Sequence, residues 1–196
     1  AHSRSGIIAF SGGVPLACFA AADPRIRPQV GYITLFGGYF NTTSLLRAFG
    51  QRAIDIDGKQ EKWQPNIVPL QTIANIITQD FAQNEHDLIF NAVSTNTPLA
   101  VNEISSLSPG AQAAYHLLMG DEPERVDANI AALPPAIHVQ LAELSSGRVI
   151  QQILAPMYLL HDRNDTLVPV TESRAFAAAL ARIHHPYDYV EFHIFN

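Results

Sequence analysis

The stretch that most constrains the fold is Gly6-Ile7-Ile8-Ala9-Phe10-Ser11-Gly12-Gly13. An apolar run of strand-forming residues stops at a serine. Two glycines follow, and Val14-Pro15-Leu16-Ala17-Cys18-Phe19-Ala20-Ala21-Ala22 then reads as a buried helix. A strand that becomes a helix within so few residues brings the two elements very close, so only small side chains fit around the turn. A serine at such a turn is held in strained backbone geometry with its hydroxyl aimed away from the sheet, which suits a nucleophile. The spacing Ala9-x-Ser11-x-Gly13 differs from the usual Gly-x-Ser-x-Gly only by a methyl group at its first position. Two other readings of the turn stay open: an ordinary loop after a strand, and an anion-binding turn at a helix N-terminus. Neither a Gly-x-Gly-x-x-Gly fingerprint nor a Gly-Lys-Ser/Thr P-loop is present.

Composition narrows the classes around this turn. The 196 residues fit one domain, or one domain with an insertion. Hydrophobic residues make up 47% and charged residues 15%, which predicts a well-buried core and excludes a disordered chain. The formal net charge is −6 and no dense Lys/Arg cluster occurs, so neither nucleic acid nor an anionic membrane surface is expected as a partner. The single cysteine, Cys18, excludes an intrachain disulfide and reads as a small core residue. With no paired-Cys motif, no metal and no cofactor is expected. No apolar run reaches the length of about 18–20 residues that spans a bilayer, and no signal peptide is visible, so a cytoplasmic location is the default expectation. The sequence starts almost directly in a core strand and stops at another, so it reads as an excerpt of a longer protein from which any N-terminal signal or anchor would be missing.

The rest of the chain divides in three. After the helix, two prolines (Pro24, Pro28) mark a loop, and Val30–Phe36, bounded by Gly37-Gly38, reads as a second core strand. Strand, helix and strand at this spacing imply parallel pairing. From about Tyr39 to Gln152, turn signals cut an Ala/Leu/Ile/Gln-rich segment into short helices: Thr43–Phe49, Val68–Ala82, Glu85–Ser94, Pro109–Leu118, Pro123–Leu133 and Pro135–Leu144. Ile67, Leu70, Ile73, Ile76 and Ile77 form one apolar stripe at helical period. So much helix between two strands exceeds a simple crossover and reads as an insertion. The α/β pattern then returns with an apolar strand, Ile153–His161, a polar loop, Asp162–Asp165, a helix, Thr171–Ile183, and a β-rich run, Tyr187–Phe195.

The stretch Pro156-Met157-Tyr158-Leu159-Leu160-His161-Asp162-Arg163-Asn164-Asp165-Thr166-Leu167-Val168-Pro169 resembles the strand and acid loop of α/β-hydrolases, where Pro-x-x-x-Leu-x-His-x-x-x-Asp-x-x-Val-Pro recurs. Glu172, Ser173 and the helix they open fit the family's continuation. Serine first and acid later is also the family's chain order. The resemblance covers the two ends of the chain, and its nearest flavour is the carboxylesterase and dienelactone-hydrolase-like group. It implies an α/β fold: a mainly parallel sheet with helices on both faces, an inserted helical cap, and N-terminal strands missing. The expected division is core at 1–38, cap at 39–152 and core at 153–196.

The resemblance also implies site roles. Ser11 is the nucleophile, Asp165 the acid that orients a histidine, and the N–H of Gly12 an oxyanion donor. The family's histidine follows the last strand. It is expected just past Asn196, with His193 as its rival, although strand alternation puts His193 inside the strand beside Glu191 and Phe195. His161 reads as a structural residue that hydrogen-bonds the acid loop. His184 and His185 suit a helix C-terminus. His86, His116 and His138 belong to the helical segment.

The function these residues imply is hydrolysis of an ester, thioester or amide of a small, moderately apolar substrate through a Ser-His-Asp triad and an acyl-enzyme. The alternative is a non-catalytic module with the same fold that binds a ligand or a protein. A nucleotide-binding domain is a distant third for want of a phosphate motif. A sheet made of these strands alone exposes an edge and a face, so a partner chain or a preceding segment is expected to complete it.

Overall fold

Alternation along the strands decides what the sheet buries. The computed structural model describes residues 4–194. In chain order its regular elements are β1 (Ser5–Phe10), α1 (Val14–Ala22), β2 (Val30–Phe36), α2 (Thr42–Gln51), β3 (Ala53–Ile56), β4 (Lys59–Lys62), α3 (Ile67–Thr78), α4 (Gln83–Thr95) and α5 (Val101–Ser106). There follow α6 (Pro109–Met119), α7 (Val126–Ala132), α8 (Pro135–Glu143), β5 (Met157–Asp162), α9 (Val170–Arg182) and β6 (Tyr187–Phe192). The described residues form two compact units: those up to 42 together with those from 141 on, and residues 43–140.

The first unit holds a four-stranded sheet in the order β1-β2-β5-β6, and every neighbouring pair is parallel. The register aligns Ala9, Leu35 and Leu159 in one row and Ile33 with Met157 in another. These side chains share one apolar cluster with Val14, Ala17, Cys18 and Ala21 of α1 and with Phe176, Ala179 and Leu180 of α9. Both helices therefore lie on the same face of the sheet. Small residues at positions 17, 18, 21 and 22 let α1 approach the strands closely, and Pro15 suits its first turn. The helix stops where Asp23 turns extended before Pro24, as a residue preceding proline must.

The opposite face carries Ile8, Phe10, Tyr32, Tyr158 and Val190, all exposed. Phe10 stacks on Phe36 at a ring-centre distance of 4.8 Å, and Tyr32 meets Tyr158 edge-on at 6.5 Å. The sheet is mainly parallel with helices, as expected. The second helical layer that was expected on this face is not met among the described residues. An apolar run on both faces of a strand is the pattern of a doubly covered sheet, and here α1, α9 and the stretch 150–155 cover one face.

The boundary of the helical segment also differs from the expected 39–152. Residues 141–152 pack with the sheet: Ile150 belongs to its apolar cluster, the Ser145 hydroxyl accepts the Thr42 amide at 3.0 Å, and the Ser146 hydroxyl donates to the Tyr39 carbonyl at 3.3 Å.

The second unit is helical around Phe49, Leu70, Ile73, Ile77, Ile89, Tyr115, Leu117 and Leu118. The Leu70/Ile73/Ile77 part of the stripe is buried as its period requires. Asn66 caps α3 by accepting the Val68 amide at 3.0 Å. The unit also contains an antiparallel hairpin, β3–β4, absent from the sequence reading. Its turn is Asp57-Gly58, both at positive φ (54° and 79°), the geometry a two-residue hairpin loop needs. Arg52 closes the end of α6, donating to the Leu118 and Met119 carbonyls at 2.7 Å each. No helix among the described residues is long and apolar enough to cross a membrane.

Candidate active site

The site is built where the parallel strands end, the edge at which open α/β sheets bind ligands. Phe10, Phe36 and Leu160 form one row across the sheet, so Ser11 and Gly37 leave it side by side at the level of His161. Phe10 is still extended (φ −128°, ψ 142°), Ser11 switches to φ 49°, and Val14 is already helical. One residue thus makes the turn from strand to helix. A non-glycine residue pays about 1–2 kcal/mol for the left-handed region, and Ser11 is held there by β1 on one side and α1 on the other.

The loop after β2 closes against this turn. A Cβ on Gly38 would lie 2.3 Å from Val14, the first residue of α1. A Cβ on Gly37, whose φ is +55°, would lie 2.8 Å from the Asp165 carboxylate. The backbone of residues 37–38 therefore spans the gap between the serine turn and the acid loop, and only glycine fits at both positions. Gly12 differs: a Cβ there would meet nothing within 4 Å, so the space beside the serine is open.

The acid loop is tightly held. Asp165 Oδ1 accepts the amides of Leu167 at 2.7 Å and Val168 at 3.2 Å, which shapes the turn around the carboxylate. Behind it His161 is fully buried. Its Nε2 lies 2.9 Å from the Val168 carbonyl and 3.4 Å from Asp165 Oδ2, and its Nδ1 lies 2.6 Å from the Ser173 hydroxyl. A carbonyl only accepts, so Nε2–H donates to Val168. His161 thereby ties β5, the acid loop and α9 together, the structural task expected of it.

Glu172, also buried, accepts the amides of Phe40 and Asn41 at 2.9 Å each through a single oxygen. It anchors the loop that begins with Gly37-Gly38. Farther along α9, Arg174 forms a two-pronged pair with Glu191 of β6 (2.6 and 2.9 Å). This guanidinium holds the Glu191 carboxyl below its ordinary range, while burial, aided by Glu191, pushes the Tyr189 hydroxyl up. Burial raises the Cys18 thiol to about 12, against the lowering effect of Ser146, so it stays a neutral core group.

His193 is not inside the final strand, contrary to the alternation argument. β6 ends at Phe192, and His193 is an exposed loop residue directly after it. Arg163 N–H donating to the Phe192 carbonyl at 2.8 Å is the last rung of the parallel ladder; the next amide, Ile194, donates instead to the Asp162 carboxylate at 2.6 Å, so the chain turns to the acid loop instead of continuing the ladder. Phe195 and any histidine past Asn196 lie outside the described residues. The structure thus brings Ser11, Gly12 and Asp165 to one edge of the sheet and starts the His193 segment at the same edge. The sequence reading did not see the anchoring parts: Gly37-Gly38 as the bridge, Glu172 as the loop anchor and Asp162. A double glycine directly after a strand, and a carboxylate directly after an apolar one, were the available signals. No group of metal-ligating side chains occurs among the described residues.

No protein-family model and no curated protein matches the chain. Solved structures do. An acylaminoacyl peptidase from Pyrococcus horikoshii matches over 100% of this chain and 20% of its own, at 13% identity and a TM-score of 0.48. A puromycin-hydrolyzing peptidase from Mycobacterium tuberculosis matches over 98% of this chain and 18% of its own, at 19% identity and a TM-score of 0.44. A meta-cleavage product hydrolase from Pseudomonas fluorescens matches over 98% and 57%, at 16% identity and a TM-score of 0.40. The chain spans about a fifth of the length of the first two. On its own geometry, with four parallel strands, a serine at positive φ on the strand-to-helix turn and an acid loop after a later strand, the fold is of the α/β-hydrolase type.

Proposed function

We propose that the chain is a serine hydrolase that cleaves a small ester, thioester or amide through an acyl-enzyme on Ser11. The observation that carries this reading is the Ser11 backbone, a non-glycine residue at φ 49° on a strand-to-helix turn. Strain of this kind persists only where the surrounding structure enforces it, and it gathers at sites that need a side chain displayed.

The chemistry follows from the parts. Ser11 Oγ attacks the substrate carbonyl carbon while its proton passes to a histidine of the segment after β6, of which His193 is the first. The Gly12 N–H donates to the oxyanion, and the open space around Gly12 leaves room for the reacting group. The intermediate collapses, the C–O, C–S or C–N bond breaks, and the leaving group takes the proton back from the histidine. Water then adds to the acyl group with the same histidine as base, the acid departs and Ser11 is restored. Asp165, one oxygen already committed to two amides, orients the imidazole and offsets its positive charge. The reading of the helical unit as a cap that selects a moderately apolar group belongs to the same proposal.

The test is labelling with a fluorophosphonate probe, in which a Ser11 Oγ–P bond forms, fluoride leaves and the hydroxyl proton passes to the base. The full chain is expected to label at Ser11, Ser11→Ala to be blank and Asp165→Asn to label far more slowly. His193→Ala decides between His193 and a later histidine: loss of labelling assigns the base to His193, and retention assigns it farther along. A folded parent protein that never labels refutes the enzyme and favours the binding module.

A further inference from the structure

Asp162 ends β5, and its side chain is almost wholly buried at 2% exposure. Its two oxygens serve two different segments. Oδ1 accepts the Asn164 amide at 2.8 Å, which closes the first turn of the acid loop. Oδ2 accepts the Ile194 amide at 2.6 Å, from a residue 32 positions farther along the chain. Next to it the Arg163 amide donates to the Phe192 carbonyl at 2.8 Å. The backbone is thus fastened immediately before and immediately after His193.

The chemistry of the residue fits this double duty. A turn alone is served as well by a neutral asparagine, whose side chain makes the same local bond. Burying a carboxylate is costly unless its oxygens are hydrogen-bonded. Only a carboxylate accepts on both oxygens, because an asparagine amide offers one acceptor and one donor. The charged form is what the second, distant amide requires.

We propose that Asp162 is a positioning residue that fixes the segment after β6, with His193 at its head, against the acid loop that carries Asp165. The inference deepens the serine-hydrolase reading and rests on it. Asp162 does not touch substrate. It sets where the base-bearing segment leaves the sheet, so that base and acid meet without a search, and misplacement by about 1 Å in such an arrangement can cost ~100-fold in rate.

The variant is Asp162→Asn in the full chain, measured in two ways. Backbone amide exchange is expected to speed up at Ile194 and to stay unchanged at Leu167 and Val168, whose amides bind Asp165 rather than Asp162. Fluorophosphonate labelling of Ser11 is expected to reach the parent's final labelled fraction with a rate constant about 10- to 100-fold lower. A loss of labelled fraction at an unchanged rate constant would mean that Asp162 only stabilises the fold, and overturns the proposal. So does parent-like labelling, or unchanged exchange at Ile194. A parent protein that does not label at Ser11 removes the underlying hydrolase reading, and this one with it.

Discussion

Glu172→Ala is expected to loosen the loop between the serine turn and the acid loop. The buried carboxylate accepts two amides, from Phe40 and Asn41, at 2.9 Å each. A hydrogen bond to a charged group contributes about 1.5–3 kcal/mol, so two intact bonds set an upper range of about 3–6 kcal/mol. Asn41 is exposed, and its amide can turn to water once released, whereas Phe40 is half-buried. The net loss is therefore expected near 2–4 kcal/mol. Glu172→Gln keeps one acceptor oxygen for the two amides and weakens their charge assistance, a cost of at least about 1 kcal/mol. Urea unfolding measures both, followed by far-ultraviolet circular dichroism, because the only tryptophan, Trp63, lies in the helical unit and does not report on the sheet. If the alanine variant stays within about 0.5 kcal/mol of the parent, water replaces the carboxylate without loss and Glu172 is no anchor. If glutamine and alanine cost the same, the acceptor argument fails even where the residue matters for packing.

Two further outcomes test the same edge of the sheet. Gly38→Ala puts a Cβ 2.3 Å from the buried Val14 and is expected to cost about 1–3 kcal/mol or more, while Gly12→Ala meets no atom within 4 Å and is expected to be near neutral in a thermal melt. The Glu191 carboxyl is held low by Arg174, so its contribution is present above the ordinary glutamate value of about 4.3 and is lost as pH falls through the depressed folded value. Arg174→Met is accordingly expected to move the acid-unfolding midpoint to higher pH, and a midpoint that does not move refutes the pairing as a source of acid stability.

Much of the core was legible in the residues because it depends on local pattern. The apolar run before Ser11 and the β-branched run Val30–Phe36 became strands, the expected Ile153–His161 strand formed only from Met157 onward, and the helical stripe of α3 buried its Leu70/Ile73/Ile77 side. The hairpin was within reach. Ile54 and Ile56 alternate before Asp57-Gly58, a strong short-range turn signal, yet the surrounding helical composition hid it. Helix α5 (Val101–Ser106) was also passed over; it is short and holds no buried residue, so it lacks an apolar stripe to read.

The candidate site divides along the same line. The positions of Ser11, Gly12 and Asp165 just past strand ends were legible, because the roles proposed for them need a certain residue type at a certain step from a strand end. The place of His193 was not, because alternation describes a strand only while its ladder continues. The ladder ended after its Arg163–Phe192 rung because the Asp162 side chain, 32 positions from Ile194, took up the next amide. The roles of Glu172 and of the Gly37-Gly38 bridge were hidden for the same reason. They are set by hydrogen bonds and close approaches between residues up to 132 positions apart, and no local pattern encodes which distant amide a buried carboxylate will meet. The sequence alone determined that a serine turn and an acid loop would form. Tertiary packing decided what holds them together, because the loops at the strand ends are fixed by partners that only the parallel register brings near.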